Sequence, residues 1–436
     1  MRPEKSVHLS RITLLVLWFY CALLCGLAEA SLIGISADVI GLPIDQFRVS
    51  GNLKTQEKYI LKWSELEIGQ TLTLSALNNA LQELRDTDLF REIHLQTERH
   101  ENGELTLHII VEERRSWIIL PRISRNSDGD IKSGFRLQMY NLQGADRSLD
   151  LLAQKEQESD GDDSDEVRFR YKLPLYEKPY DLTWQLGQIV KNTEKEGFEN
   201  VETTNYFSFG VERDWNLDAF ETPLTIRTSI AFEERDLNEA YPESIDGIEA
   251  GIYNRLRLGL IFDDEHRERY RQFGSYYALT IDQGFKWLGS DYESTIIDLE
   301  IINFIRLNRY DNFNSRFVFE VSNNSPYNYP WYNIGGGSNI RGLERIDDRG
   351  DARWFANLEY IMAYRKHPGV AHSLFLDLGN VYEDLEDIDF GDAYYTIGTG
   401  LRWKVESFVK TDLFLDYGYD IEGRAGKLYG GTSLNF

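Results

Sequence analysis

EVRFRYKLPLY, residues 166–176, decides how the chain is read. Val167, Phe169, Tyr171, Leu173 and Leu175 fall on one face of an extended strand, and Arg168, Arg170 and Lys172 fall on the other. Side chains alternate along a strand with a period of two, so one face is greasy and the other charged. The pattern returns at 223–235, where Leu224, Ile226, Ile230 and Phe232 oppose Arg227. Sixteen segments of this kind follow one another: 117–126, 131–141, 147–157, 166–176, 180–194, 205–215, 223–235, 251–263, 275–287, 295–307, 315–323, 353–365, 372–382, 394–405, 410–421 and 427–436.

Alternation alone fits two architectures. A soluble sandwich turns the apolar face inward; a transmembrane barrel turns it outward to lipid and keeps the charges in its lumen. Three features select the barrel. The strand number is large and even, the charged face is too charged for a dry core, and the last strand ends on the aromatic Phe436. Connection lengths agree: 236–250, 324–352 and 383–393 are long and lie on one side, whereas 177–179 and 366–371 are short and lie on the other. Long loops on one side and short turns on the other are the habit of such barrels. After residue 30 no apolar run approaches the ~20 residues that a membrane-crossing helix needs, so a crossing must be made by a closed barrel.

The first 115 residues differ. Arg2, Lys5 and Arg11, an uncharged stretch from Ile12 to Ala28, and Ala28-Glu29-Ala30 read as a secretory signal cleaved after Ala30. Both cysteines, Cys21 and Cys25, lie in it. The mature chain can therefore form no disulfide, thiol nucleophile or cysteine metal site. Residues 31–45 form a short leader. Residues 46–115 read as a small α+β unit in the order β-α-α-β-β. Its first helix lies near Thr55–Trp63 with Thr55 as cap. Its second carries Leu77, Leu81 and Leu84 on one face, with Ser75 near the cap, and a hairpin turns at Asn102-Gly103. From 116 to 436 the barrel follows.

The balance of 47 Lys+Arg against 72 Asp+Glu excludes nucleic acid as the main partner, since no basic stripe meets the phosphates. The acidic run Glu158–Glu166 reads as a solvated loop. The histidines show no metal-ligand spacing and no catalytic motif appears; the chain reads as a non-enzyme without cofactor or metal.

Between two strands lies GGGSNIRGLERIDDRGD, residues 335–351. Its glycines permit tight folding, and Arg341 needs a carboxylate if it is to leave water. Parity supplies two candidates. In 353–365, Trp354, Leu358 and Tyr360 face outward, so Glu359 faces the lumen; in 372–382, Leu374, Leu376 and Leu378 face outward, so Asp377 faces inward.

These residues resemble a known superfamily, the POTRA-plus-barrel outer-membrane proteins of barrel assembly and two-partner secretion (the bacterial surface antigen family). VSGN, GQTLT, LRDTDLFREIHL and GELTLHIIVEER resemble the POTRA (polypeptide-transport-associated) module, here in a single copy. GGSNIRGL resembles the family's lumen-loop motif at Gly336, Gly337, Ile340, Arg341, Gly342 and Leu343, with Leu343 where an aromatic is usual. FLDLGNVY resembles the Phe-x-Asp-x-Gly strand at Phe375, Asp377 and Gly379, and GGTSLNF the C-terminal barrel signal at Gly431, Leu434 and Phe436.

The resemblance implies that Arg341 pairs with Glu359 and Asp377 inside the lumen. It also implies that the barrel, embedded in outer-membrane lipid, assists insertion or translocation of unfolded client polypeptides. The periplasmic POTRA would receive clients by strand addition on the strand holding Ile93 and Leu95, with accessory periplasmic proteins as further partners. The first and last strands, with Pro121 and Gly430-Gly431, form either a seam that parts or a shaped closed edge. The alternative function is a transporter or pore for lipid, a dedicated secreted partner or small solutes.

Overall fold

The computed structural model describes residues 35–125, 131–157, 163–195, 198–217, 222–238, 249–268, 271–328, 332–344, 349–404 and 412–432. The expected signal segment, residues 1–30, and the C-terminal Leu434 and Phe436 lie outside them.

The N-terminal unit is β1 (Gln46–Ser50), α1 (Glu57–Ser64), α2 (Leu74–Asp86), β2 (Phe90–Arg99) and β3 (Leu105–Glu113). β3 is central; β1 joins it in parallel and β2 antiparallel, so the order is β1-β3-β2. The apolar faces of both helices meet the sheet: Ile60, Leu77, Leu84, Leu107 and Ile109 have no exposed surface. Each such side chain contributes about 1.5–3 kcal/mol through burial. The helix starts differ from the sequence reading. Thr73, not Ser75, caps α2 by accepting the Ala76 N–H at 3.1 Å. α1 begins after Gln56, without a side-chain cap, because the Thr55 hydroxyl is taken by Asn141 of the barrel at 2.7 Å.

The barrel strands are β4 (Trp117–Arg125), β5 (Ile131–Leu142), β6 (Arg147–Gln157), β7 (Asp163–Pro174), β8 (Asp181–Lys195), β9 (Phe198–Trp215), β10 (Leu224–Leu237), β11 (Gly251–Ile252), β12 (Arg255–Asp263), β13 (His266–Arg267), β14 (Gln272–Gly284), β15 (Thr295–Arg306), β16 (Asp311–Asn323), β17 (Ala352–Tyr364), β18 (His367–Tyr382), β19 (Tyr394–Lys404), β20 (Asp412–Asp420) and β21 (Gly426–Thr432). They close into one barrel, with β21 beside β4. β11 and β13 are two-residue pieces that prolong β12 at its two ends and pair with β10 and β14 respectively, so sixteen full strands remain among those described. Every full-strand pairing with a resolved register is antiparallel. This is an all-β transmembrane barrel fold preceded by one small α+β domain. No described helix is long and apolar enough to cross a membrane.

β7 begins at Asp163, earlier than its greasy alternation suggests, and takes in the end of the acidic run. Asp163 pairs there with Lys155 of β6 at 2.9 Å. Residues 158–162 of that run lie outside the described residues.

The α+β domain sits on one mouth of the barrel and touches its turns. The Gln56 N–H donates to the Gly144 carbonyl at 3.0 Å, and the Tyr59 and Tyr176 rings meet edge to face at 5.1 Å. The buried Asp88 accepts from Arg114 at 2.8 Å, with Lys404 of β19 at 3.8 Å. On the third side, His266 reaches Asp86 of α2 at 2.8 Å. The long connection between β16 and β17 belongs to the far mouth.

Candidate functional site

That connection folds back into the lumen. Its base is fastened by a bridge between Tyr332 and Gly350. Its tip is a tight turn in which the Gly336 N–H donates to the Leu343 carbonyl at 3.1 Å. Asn339 accepts the Gly335 and Ile340 N–H groups at 2.9 and 2.7 Å, and its own carbonyl accepts from Asn357 of β17 at 2.6 Å. Ile340 and Leu343 are buried with Ile334, Val318 and Phe355. The aliphatic Leu343 therefore still packs, at 4% exposure.

Arg341 is carried at this tip and is 1% exposed. Its guanidinium grips Asp377 with both oxygens, Nε to Oδ2 at 2.8 Å and Nη2 to Oδ1 at 2.9 Å. Its backbone N–H donates to the same carboxylate at 3.0 Å. Nη1 reaches Asp416 at 3.0 Å and Glu359 at 3.4 Å. The guanidinium carbon Cζ lies over the Phe375 ring, 3.6 Å from its centre. Planar two-pronged pairing and stacking on an aromatic face are what arginine offers and lysine does not.

Two glycines of the site are required by the close approach of other backbone. Gly342 has φ +98, and a Cβ there would lie 2.6 Å from the Gly418 carbonyl carbon of β20. Backbone thus rests on backbone, and the Gly342 N–H donates to the Tyr429 hydroxyl of β21 at 3.1 Å. On β18, a Cβ on Gly379 would fall 2.4 Å from the Trp354 carbonyl oxygen. Gly337 sits against the Tyr429 ring, and Gly336 faces open space but has φ +91, which also favours glycine.

The structure brings Arg341, Asp377, Glu359 and Phe375 together. It keeps Gly431 in β21, opposite Phe414. Two members of the network have no counterpart in the sequence reading. Arg402 of β19 pairs with Glu359 and with Asp416 of β20, so two guanidiniums and three carboxylates form one buried cluster spanning β17 to β20. The signal was present: Arg402 lies between Leu401 and Trp403, and Asp416 between Leu415 and Tyr417, each a charge on the inward face of a greasy strand.

Fold and lumen loop together define a closed barrel with an arginine-bearing loop docked inside it and a small α+β domain at its mouth. The family described as POTRA, surface antigen variable number repeat, matches residues 43–114. The solved structures include three similar barrels. BamA from Haemophilus ducreyi lacking POTRA domains 1-3 is 16% identical, with a TM-score of 0.54 over 90% of this chain and 84% of that one. CdiB from Acinetobacter baumannii is 13% identical, with a TM-score of 0.61 over 89% and 73%. CdiB from Escherichia coli is 11% identical, with a TM-score of 0.62 over 90% and 77%. No curated protein sequence matches the chain.

Proposed function

We propose that this protein resides in the outer membrane of a Gram-negative cell and inserts or translocates other polypeptides there, without enzymatic chemistry, metal or cofactor. In this reading residues 1–30 are a signal removed after Ala30, 31–45 a leader, 46–115 the periplasmic POTRA and 116–436 the barrel. The observation that carries the reading is the unpaired outer edge of β2, presented at the barrel mouth. β2 pairs with β3 only among the described strands, and a free sheet edge is a template for an extended chain. The likeness in fold to BamA and CdiB supports the same class of work. Arg341 acts as the pin of the lumen loop, with Asp377 and Glu359 as its seat. A loop so held across the lumen speaks against a wide, steadily open pore for lipid or solutes.

The test is photo-crosslinking in living cells from His94 and Gln96, both exposed on β2. Client polypeptides should be trapped, and proline scanned through His94–Gln96 should abolish trapping at the amides that point away from β3 while the barrel stays folded. Unchanged trapping in every proline variant counts against strand addition. Large steady currents from the intact protein in a planar bilayer would favour the pore.

A further inference from the structure

Across the lumen from the docked loop lies a wall of different chemistry. The loop is seated on β17, β18 and β20, and β7 to β10 are the strands half a circuit away in the closed order. Arg168, Arg170 and Lys172 of β7 face inward. Their register partners on β6 are Leu152, Asp150 and Ser148, and on β8 Gly187, Gln185 and Thr183.

Most cations of this wall already hold a carboxylate, and one is left over. Asp150 is held by Arg136 at 2.7 Å, with Arg168 at 3.9 Å. Glu212 takes both Lys172 and Arg227 at 2.6 Å each, Lys172 also holds Asp181 at 2.8 Å, and Arg168 holds Glu166 at 3.4 Å. Arg170, between the two groups, is exposed and makes no ion pair or hydrogen bond among the described residues. Its register partner Gln185 and the short Ser208 and Gly210 stand beside it, with the Tyr206 hydroxyl over Gly187, and still leave it exposed. Lys172 and Arg227 also keep 36% and 41% of their side-chain surface open. In a chain of net charge -25, a surplus cation inside the barrel runs against the overall balance.

We propose that this wall recognises the carboxylates of an acidic, extended polypeptide segment. Spacing selects that occupant over a small anion. Arg168, Arg170 and Lys172 stand at alternate residues of a strand, about 7 Å apart at ~3.4 Å per residue. An extended segment displays its own alternate side chains at that repeat, so acidic residues at every second position meet successive cations. Partial exposure leaves these cations hydrated but not screened by bulk solvent on all sides, and a second carboxylate on each guanidinium adds charge-assisted hydrogen bonds. The proposal rests on the reading of the barrel as a polypeptide translocator and names the kind of segment it favours.

The experiment uses the full chain in lipid nanodiscs and a fluorescent peptide of alternating Glu and Ser. The peptide should bind, its affinity should fall as salt rises, and the matching Lys-Ser peptide should not compete. Arg170→Glu should weaken binding by about tenfold or more, and Arg170→Lys should retain most of it. Arg170→Gln serves as a second loss variant should Arg170→Glu fail to fold, with folding read from heat-modifiable gel mobility. Equal binding by wild type and both loss variants overturns the proposal. So does competition by free glutamate at the same carboxylate concentration, which would reduce the wall to a generic anion site. Client trapping at β2 separates the two readings. Trapping without peptide binding sinks this proposal and leaves translocation standing. Peptide binding without any trapping sinks translocation and leaves an acidic-peptide site in the lumen.

Discussion

Arg341 is more deeply enclosed than a lumen arginine needs to be. At 1% exposure it has exchanged water for Asp377, Glu359, Asp416 and the Phe375 ring. Removing one partner of a buried ion cluster costs more than the pair was worth, because the remaining charges stay buried and unmatched. Arg341→Ala should therefore destabilise loop docking by about 3–5 kcal/mol, read as protease cleavage within 335–351 while the barrel keeps its heat-modifiable mobility. Arg341→Lys should recover only part, since a point charge cannot grip both Asp377 oxygens. Adding Asp377→Ala to Arg341→Ala should cost less than the sum of the single changes; strict additivity would mean that the two do not interact. Asp377 and Glu359 were legible as lumen carboxylates from parity alone, because each sits between outward-facing apolar residues. Asp416 and Arg402 carry the same parity signal, yet nothing in the linear order says that β19 and β20 meet the same loop tip as β17. That depends on register and on loop conformation, which the sequence pattern does not encode.

Among the elements, the strands were the most legible, since no helix or loop places apolar side chains at every second position over ten or more residues. Helix caps were less so: Thr55 has a cap's chemistry but serves the barrel turn at Asn141 instead. The contact between α2 and the turn bearing β13 was not legible at all, because it joins residues 180 positions apart. There His266 contacts Asp86 at 2.8 Å, and its ring lies tilted against Phe273 of β14 at 5.0 Å. Gln82 donates to the Arg267 carbonyl at 3.0 Å, and the Arg267 N–H donates to Asp86. The Asp86 hydrogen bond raises the His266 pKa above its ordinary value; burial opposes this, and the charges of Asp86, Asp264 and Glu83 reinforce it. A raised pKa in the docked state means that the docked form binds the proton more tightly. Its contribution is full below the free-histidine value of about 6.5 and is lost as pH rises through the raised value. Hydrogen exchange of α2 should accordingly be slower at about pH 5.5 than at about pH 8.5, after correction for intrinsic rates. His266→Gln should remove the pH dependence, and Asp86→Asn should remove it and loosen α2 at both values. A pH dependence that survives His266→Gln would assign it to another group.

At the scale of the whole molecule, the decisive question is which side of the sheet meets lipid. The same alternation could have built a sandwich, and only closure of β21 on β4 separates the two. Closure puts Leu151, Phe169, Leu186, Phe207 and Phe232 in one continuous outward row across β6 to β10 by register. Leu186, Phe207 and Phe232 are 48%, 41% and 38% exposed. Water would penalise so broad an apolar band, whereas hydrocarbon would not. The lumen position next to Leu186 is Gln185, level with Arg170 on β7. One strand therefore offers a paired comparison in which chemistry and sequence position are nearly constant and only the facing medium differs. Leu186→Arg should destabilise the barrel in lipid vesicles by about 2–4 kcal/mol, the cost of a guanidinium near the bilayer midplane. Gln185→Arg keeps its charge in the hydrated lumen and should cost less than about 1 kcal/mol, chiefly through repulsion with the nearby Arg170. Reversible urea unfolding, followed by tryptophan fluorescence, measures both. The difference should shrink when the barrel is held in a short-chain detergent that lets water reach its outer face. Near-equal costs in vesicles would place the Leu186 face in water and remove the lipid-spanning reading of β8.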